Sequence, residues 1–291
     1  MFVNAIEIAS NYTHPVIISV RHLDGTTQSQ GATFIMVNQE GWALTSGHVM
    51  GNLHRAQQHT AILQQYQQQV QEIENDVKLS PRAKQTQISQ IKHNPKLITQ
   101  ISYWWGQDGF QYEICHINTL NDLALIKIRN YNPEFCRVYP IFKNPASGMK
   151  VGTSLCKLGY PLWEIKTSWD EEAKRWVIGE GVLPMPRFPL EGMHTRVKVT
   201  KDAASGKLAK FIETSSPGLR GQSGGPIFDV QGHIWALQSH TAHFNLGFNP
   251  KVKRGDREVE ENQFLNVGLG SHVEDILKFM DSHQVDYQVS T

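Results

Sequence analysis

Short runs of Val, Ile, Thr and Phe, namely PVIISV, GATFIMV and WALTS, alternate with the turn clusters HLDGTT and NQEG over about residues 15 to 50. This pattern predicts antiparallel strands joined by tight turns. After Gly51 the chain becomes rich in glutamine, and Ile62, Tyr66, Val70, Ile73 and Val77 recur at helical spacing. One amphipathic helix is predicted there. SPRAKQTQISQIKHNP follows, with Ser80 as N-cap, Pro81 at the first helical position and Pro95 as stop, so a second helix completes a hairpin over about 52–95.

β grammar returns after Tyr103 in FQYEICHI and DLALIKI, and MKVGTSLCKLGYP opens a second β unit. GVLPMPRFPLEGM reads as a loop, because its three prolines cannot donate to a ladder. HTRVKVT, KLAKFIET and FLNVGLG read as strands. SHVEDILKFM reads as a short C-terminal helix, with Ser271 as N-cap and Glu274 closing a capping box. The fold class expected is therefore all-β, with an inserted α-helical hairpin and a short terminal helix.

Composition narrows the function classes. The 291 residues are enough to bury a core without staples, the formal net charge is +1, and 19% of residues are charged. No polyanion-binding surface is indicated, so nucleic acid is not an expected partner. Three cysteines, Cys115, Cys136 and Cys156, stand far apart with no CxxC pair, which points to a reducing compartment. The N-terminus lacks the features of a secretory signal, and no apolar stretch reaches the roughly 18 to 20 residues needed to cross a bilayer. A cytoplasmic location without membrane contact is expected. No HExxH cluster is present, and no metal or other cofactor is expected. His54 and His59 lie five apart, on different faces of the predicted helix, and read as solvated.

Three segments carry candidate chemistry. In GQSGGPIFD, Ser223 sits among Gly221, Gly224 and Gly225 before an apolar strand. Glycines there permit backbone angles that aim N–H groups at one point, as an oxyanion hole built from Gly221 and Ser223 requires. In ALTSGHVM, His48 ends an apolar strand, where a general base would be firmly held. In NDLALIKI, Asp122 precedes a strand and could set a carboxylate against the far side of the imidazole. Each segment alone has a plain structural explanation. Their joint occurrence in the order His, Asp, Ser makes coincidence improbable.

With these segments in place, the sequence resembles the chymotrypsin-like (trypsin-like) serine proteases, particularly their bacterial high-temperature-requirement branch. The likeness runs through GATFIMVNQEGWALTSGHV, NDLALIKI, VGTSLCKLGYP, FIETSSPGLRGQSGGPIFDVQGHIWALQS and FLNVGLGSHVEDI. It implies two six-stranded antiparallel β-barrels, with residues 1–145 carrying His48 and Asp122 and residues 146–291 carrying Ser223. It implies serine endopeptidase activity on a protein or peptide substrate, with a triad of His48, Asp122 and Ser223. It also implies a specificity pocket with Pro217 at the floor and Ser239, His240 and Thr241 along the wall.

Departures from the family pattern also inform. Val49 follows His48 where secreted members carry a paired cysteine, and Gln222 replaces the aspartate that secreted zymogens use to pair with a new N-terminus. PDZ domains, usual in the high-temperature-requirement branch, are expected to be absent. With Pro217 at the floor, a buried Arg or Lys of a substrate would go unpaired, so small or aliphatic side chains are expected. Glutamate is the alternative, through His240 or His243. Two readings of the whole remain: an active endopeptidase, or a catalytically idle protease-fold module that binds a peptide or protein. Insertion 52–95 is expected either to decorate its own barrel or to serve partner docking or self-association.

Overall fold

In a computed structural model, which describes residues 1–255 and 257–291, the Val/Ile/Thr/Phe runs pair as antiparallel strands. β1 (Thr13–His22), β2 (Thr27–Met36), β3 (Trp42–Thr45), β4 (Ile98–Trp105), β5 (Gln111–Asn118) and β6 (Leu123–Arg129) form a sheet in the order β4-β1-β2-β3-β6-β5. Ala32 to Met36 and Leu123 to Ile126 are buried without alternation. Both faces of these segments are covered, so the period-2 signal disappears.

The second half contributes β7 (Ile141–Phe142), β8 (Ser154–Gly159), a separate hairpin of β9 (Thr167–Asp170) and β10 (Arg175–Ile178), β11 (Phe188–Lys201), β12 (Leu208–Thr214), β13 (Pro226–Phe228) and β14 (Ile234–Asn245). A further hairpin, β15 (Lys251–Arg254) and β16 (Arg257–Glu260), precedes β17 (Phe264–His272) and β18 (Gln288–Val289). Strands β13-β8-β11-β12-β17-β14 follow in order, and β13 pairs back onto β14 to close a ring of six. β7 and β18 add short parallel pairings outside the ring, so this sheet has eight strands where six were expected.

Among the described residues, four α-helices accompany the sheets. α2 (Gly51–Asn75) and α3 (Pro81–Gln90) are the predicted hairpin, and the Ser80 hydroxyl accepts the Ala83 N–H at 3.3 Å as the cap requires. Val77 lies beyond the end of α2 and is fully exposed, so it is not part of the stripe. Leu53 and Ala56 instead continue the stripe, packing on the core. His59 is not solvated as expected: its Nδ1 accepts the Ile98 N–H at 3.0 Å and ties α2 to β4.

α1 (Val3–Tyr12) has no counterpart in the sequence pattern. Its small residues Ala5 and Ala9 let it approach closely, with Phe2 edge-on to Phe228 at 6.3 Å, and burying Phe2 and Tyr12 contributes roughly 2 kcal/mol each. α4 (Val273–Ser282) is capped by His272, whose side chain accepts the Glu274 N–H at 3.0 Å, not by Ser271. Ser271 is the penultimate residue of β17, and its hydroxyl donates to the Asn121 carbonyl at 2.6 Å. The segment FPLEGM is strand and not loop: Phe188 to Met193 pair with β8, and β12 joins β11 only from His194 on, so the proline stands where the strand has one open edge. Among the described residues, no helix is long and apolar enough to cross a membrane.

Candidate active site

Three loops from the two sheets converge on one point. His48 lies in a 3-10 turn (Gly47–Met50) directly after β3, and Asp122 immediately precedes β6 in the left-handed region, at φ 50°. Asp tolerates that conformation better than most residues, and it turns the carboxylate toward the turn that carries His48. Asn121 fixes the loop from below: its side-chain amide donates to Asp275 at 2.6 Å, and its carbonyl holds Ser271. The second sheet thereby anchors a residue of the first.

The His48 Nδ1 lies 2.8 Å from Asp122 Oδ2, and its Nε2 lies 2.9 Å from Ser223 Oγ. Asp122 Oδ1 also accepts the His48 backbone N–H at 2.8 Å. Ser239 donates its hydroxyl to Asp122 Oδ2. Burial pushes the Asp122 carboxyl up, but the hydrogen bonds and charge of His48, together with Ser239, outweigh it and hold the group below its usual range. An ionised carboxylate beside Nδ1 fixes the tautomer that leaves Nε2 free to accept the serine proton.

Glycine is dictated by geometry around Ser223. Gly221 has φ +99°, and a Cβ there would stand 2.4 Å from the Tyr160 carbonyl oxygen. At Gly224, φ +83°, a Cβ would meet the Thr33 carbonyl and the Thr45 hydroxyl at 2.2 Å. The loop is docked on β2: the Thr33 hydroxyl donates to the Gly221 carbonyl at 2.7 Å, and the Thr33 N–H to the Ser223 carbonyl at 2.9 Å. Among the described residues, neither the Gly221 nor the Ser223 N–H has an acceptor within the chain. Gln222 is buried and self-sufficient, accepting the Leu219 N–H at 3.0 Å and donating to the Phe188 carbonyl at 3.4 Å.

Ser223 opens onto two clefts. One, of about 540 Å³, is lined by Pro217, Arg220, Ser239, His240, Thr241 and His243, and so gathers every residue the sequence assigned to the specificity pocket. The other, of about 680 Å³, is lined by His48, Ile18, Tyr160, Leu162, Trp163 and Ile165. The contact of Thr33 with Gly221, the bond from Ser239 to Asp122 and the contact of buried Lys157 with Pro217 were not anticipated, Ser239 having been expected only as pocket wall. Nothing in their local sequence distinguishes them, since each is defined by a partner more than 50 residues away.

Such a double-sheet architecture, with a Ser-His-Asp constellation between the sheets, defines the trypsin-like serine protease class. The family model for the trypsin-like peptidase domain matches residues 31–237, and the chain belongs to that family. No curated protein matches it. Among solved structures, the active form of the Rv3671c protease from M. tuberculosis is similar at 11% identity and TM-score 0.51, over 99% of this chain and 88% of that one. A variant of the HtrA-type protease AlgW with a decapeptide is similar at 12% identity and TM-score 0.53, over 97% of this chain and 66% of that one. AlgW with a tripeptide gives 13% identity and TM-score 0.50, over 97% and 63%. These likenesses are of fold, and the chain spans less than two thirds of the AlgW chains.

Proposed function

We propose that the protein is a serine endopeptidase that cleaves peptide bonds through an acyl-enzyme on Ser223. The observation that carries this reading is the imidazole of His48, held between Ser223 Oγ at 2.9 Å and Asp122 Oδ2 at 2.8 Å. Ser223 Oγ attacks the scissile carbonyl while its proton moves to His48 Nε2. The oxyanion that forms is met by the free N–H groups of Gly221 and Ser223. Collapse expels the amine, which takes the proton from His48. Water then repeats the sequence on the ester and restores Ser223. Asp122 is not protonated in this cycle; it orients the imidazole and stabilises the imidazolium.

The peptide would lie across the two clefts that share Ser223, with the residue before the cut in the 540 Å³ cleft. Buried Gln222 needs no ion pair with a released N-terminus, so activity without N-terminal processing is part of this reading. Labelling with a serine-directed phosphonate and peptide mapping tests it. Modification of Ser223 is expected. An unlabelled protein that still binds peptides would be an idle protease-fold binding module.

A further inference from the structure

Lys157 lies in the middle of β8 and is 1% exposed. Its Nζ donates to the Ser216 carbonyl at 2.5 Å, to the Ser216 hydroxyl at 2.9 Å and to the Pro217 carbonyl at 3.0 Å. Three oxygens match the three N–H donors of an ammonium; a neutral amine would need the Ser216 hydroxyl to turn and donate to it. No carboxylate among the described residues pairs with it. Nζ packs against Gly268, where a Cβ would stand 2.5 Å from it.

One residue separates this amine from the cleft beside Ser223: Pro217 lines that cleft and gives its carbonyl to Nζ. The cleft lining holds Arg220, His240 and His243 and contains no Asp or Glu. A buried cation with no carboxylate of its own, behind a wall that carries no Asp or Glu, biases the Pro217 end of the cleft toward positive potential, while Asp122 reaches only the Ser239–His240 end and is itself held by His48. No carboxylate among the described residues pairs with Lys157 itself, and a substrate can bring one to the Pro217 end.

We propose that Lys157 is a specificity-determining residue that makes the cleft beside Ser223 select an acidic side chain, Glu or Asp, immediately before the cleaved bond. This rests on the peptidase reading above and names its substrate class. Lys157 acts in two ways. Its three hydrogen bonds hold the Ser216–Pro217 floor in place, and its charge sets the sign of the field in the pocket. A substrate Lys or Arg would enter against that field and find no partner.

The test uses two readouts. Turnover of a peptide series differing only in the residue before the cut, Glu, Gln, Ala and Lys, should give a kcat/KM for Glu roughly tenfold or more above that for the isosteric Gln. In Lys157→Met the Glu-to-Gln ratio should fall toward one. Separately, binding of product-like peptides ending in Glu or Gln is measured by fluorescence anisotropy on the full-length S223A protein, which needs no chemistry. Glu should bind more tightly than Gln there also. Equal affinities in S223A, or an unchanged ratio in folded Lys157→Met, would overturn the proposal. Preferential Glu binding without turnover in the parent would overturn the peptidase reading alone.

Discussion

Asp122 grips His48 at two places: one carboxylate oxygen takes the backbone N–H at 2.8 Å, and the other faces Nδ1 at 2.8 Å. One side chain thus fixes both the position of His48 and the orientation of its ring. In Asp122→Asn the amide cannot satisfy both contacts and favours the tautomer that blocks Nε2. Activity on a peptide ester should fall on the order of 10³ to 10⁴ in kcat with KM little changed. A loss of less than tenfold would remove Asp122 from the mechanism.

Ser239 reaches the same carboxylate from the wall of the 540 Å³ cleft. It was read in the sequence as pocket lining, yet its hydroxyl serves the carboxylate. Ser239→Ala removes a hydrogen bond to a charged acceptor, worth about 1.5 to 3 kcal/mol. Asp122, relieved of one contact that lowers its pKa, would protonate at higher pH. The variant's kcat should therefore drop more at pH 5 than at pH 8. A parallel loss at all pH values would mean that Ser239 only shapes the cleft.

What could be read from the chain and what could not divide along physical lines. The segments around His48, Asp122 and Ser223 announce themselves because chemistry constrains consecutive residues, glycines above all. Helix α3 was legible because its cap and its first-turn proline are local. By contrast, α1 has no side-chain cap and buries mainly small residues, so its helical stripe is faint. Ser271 lost the cap to His272 because the Asn121 carbonyl, 150 positions away, claims its hydroxyl. Lys157 looks like the solvated position of an alternating strand, and only the folded ring shows both faces of β8 covered.

Stability should carry the mark of Lys157 as well. Burial pulls its ammonium down from 10.5 to about 7, against which the three oxygen acceptors favour the charged form. With the folded value below the unfolded one, the unfolded chain binds more protons between about pH 7 and 10.5. This group's contribution to stability therefore rises with pH in that window, and its full cost applies below it. In urea titrations at pH 6, 8 and 10, the gap between the parent and Lys157→Met should shift in the parent's favour as pH rises, by on the order of 2 kcal/mol or more, on top of a constant cost for the acceptors that Met leaves unpaired. A gap that is constant with pH would show that Lys157 does not titrate in the folded protein.

Cys115, Cys136 and Cys156 are unpaired, and burial pushes their thiols up to about 11, 12 and 11. At neutral pH they are protonated and poorly nucleophilic. Iodoacetamide should label none of them readily in the native state and all three after unfolding. Dithiothreitol should leave both Tm and rate unchanged. A lower Tm in reductant would reveal a disulfide between molecules.

The helical insertion leaves the first sheet through the turn that carries His48, and it is fastened at its root. Leu53 and Ala56 pack on the core, and His59 accepts the Ile98 N–H at 3.0 Å. Beyond that root the hold weakens: no residue of α2 or α3 is fully buried, Ile62 is half exposed, and Tyr66 meets the ring of His93 at 4.8 Å. Ile88 and Ile91 are only partly covered. If the peptidase reading holds, an arm fixed beside His48 and loosely packed outside it is expected to touch a protein substrate or a second molecule, not a small one. Replacing residues 54–93 by a short Gly-Ser linker should therefore spare hydrolysis of a small peptide ester while changing the cleavage pattern on casein or the mass in solution. Loss of small-ester hydrolysis in a folded variant would instead make the arm a support for His48. A variant that matches the parent in ester rate, cleavage pattern and mass would reduce the arm to a tolerated insertion, held in the fold by little more than its first three turns.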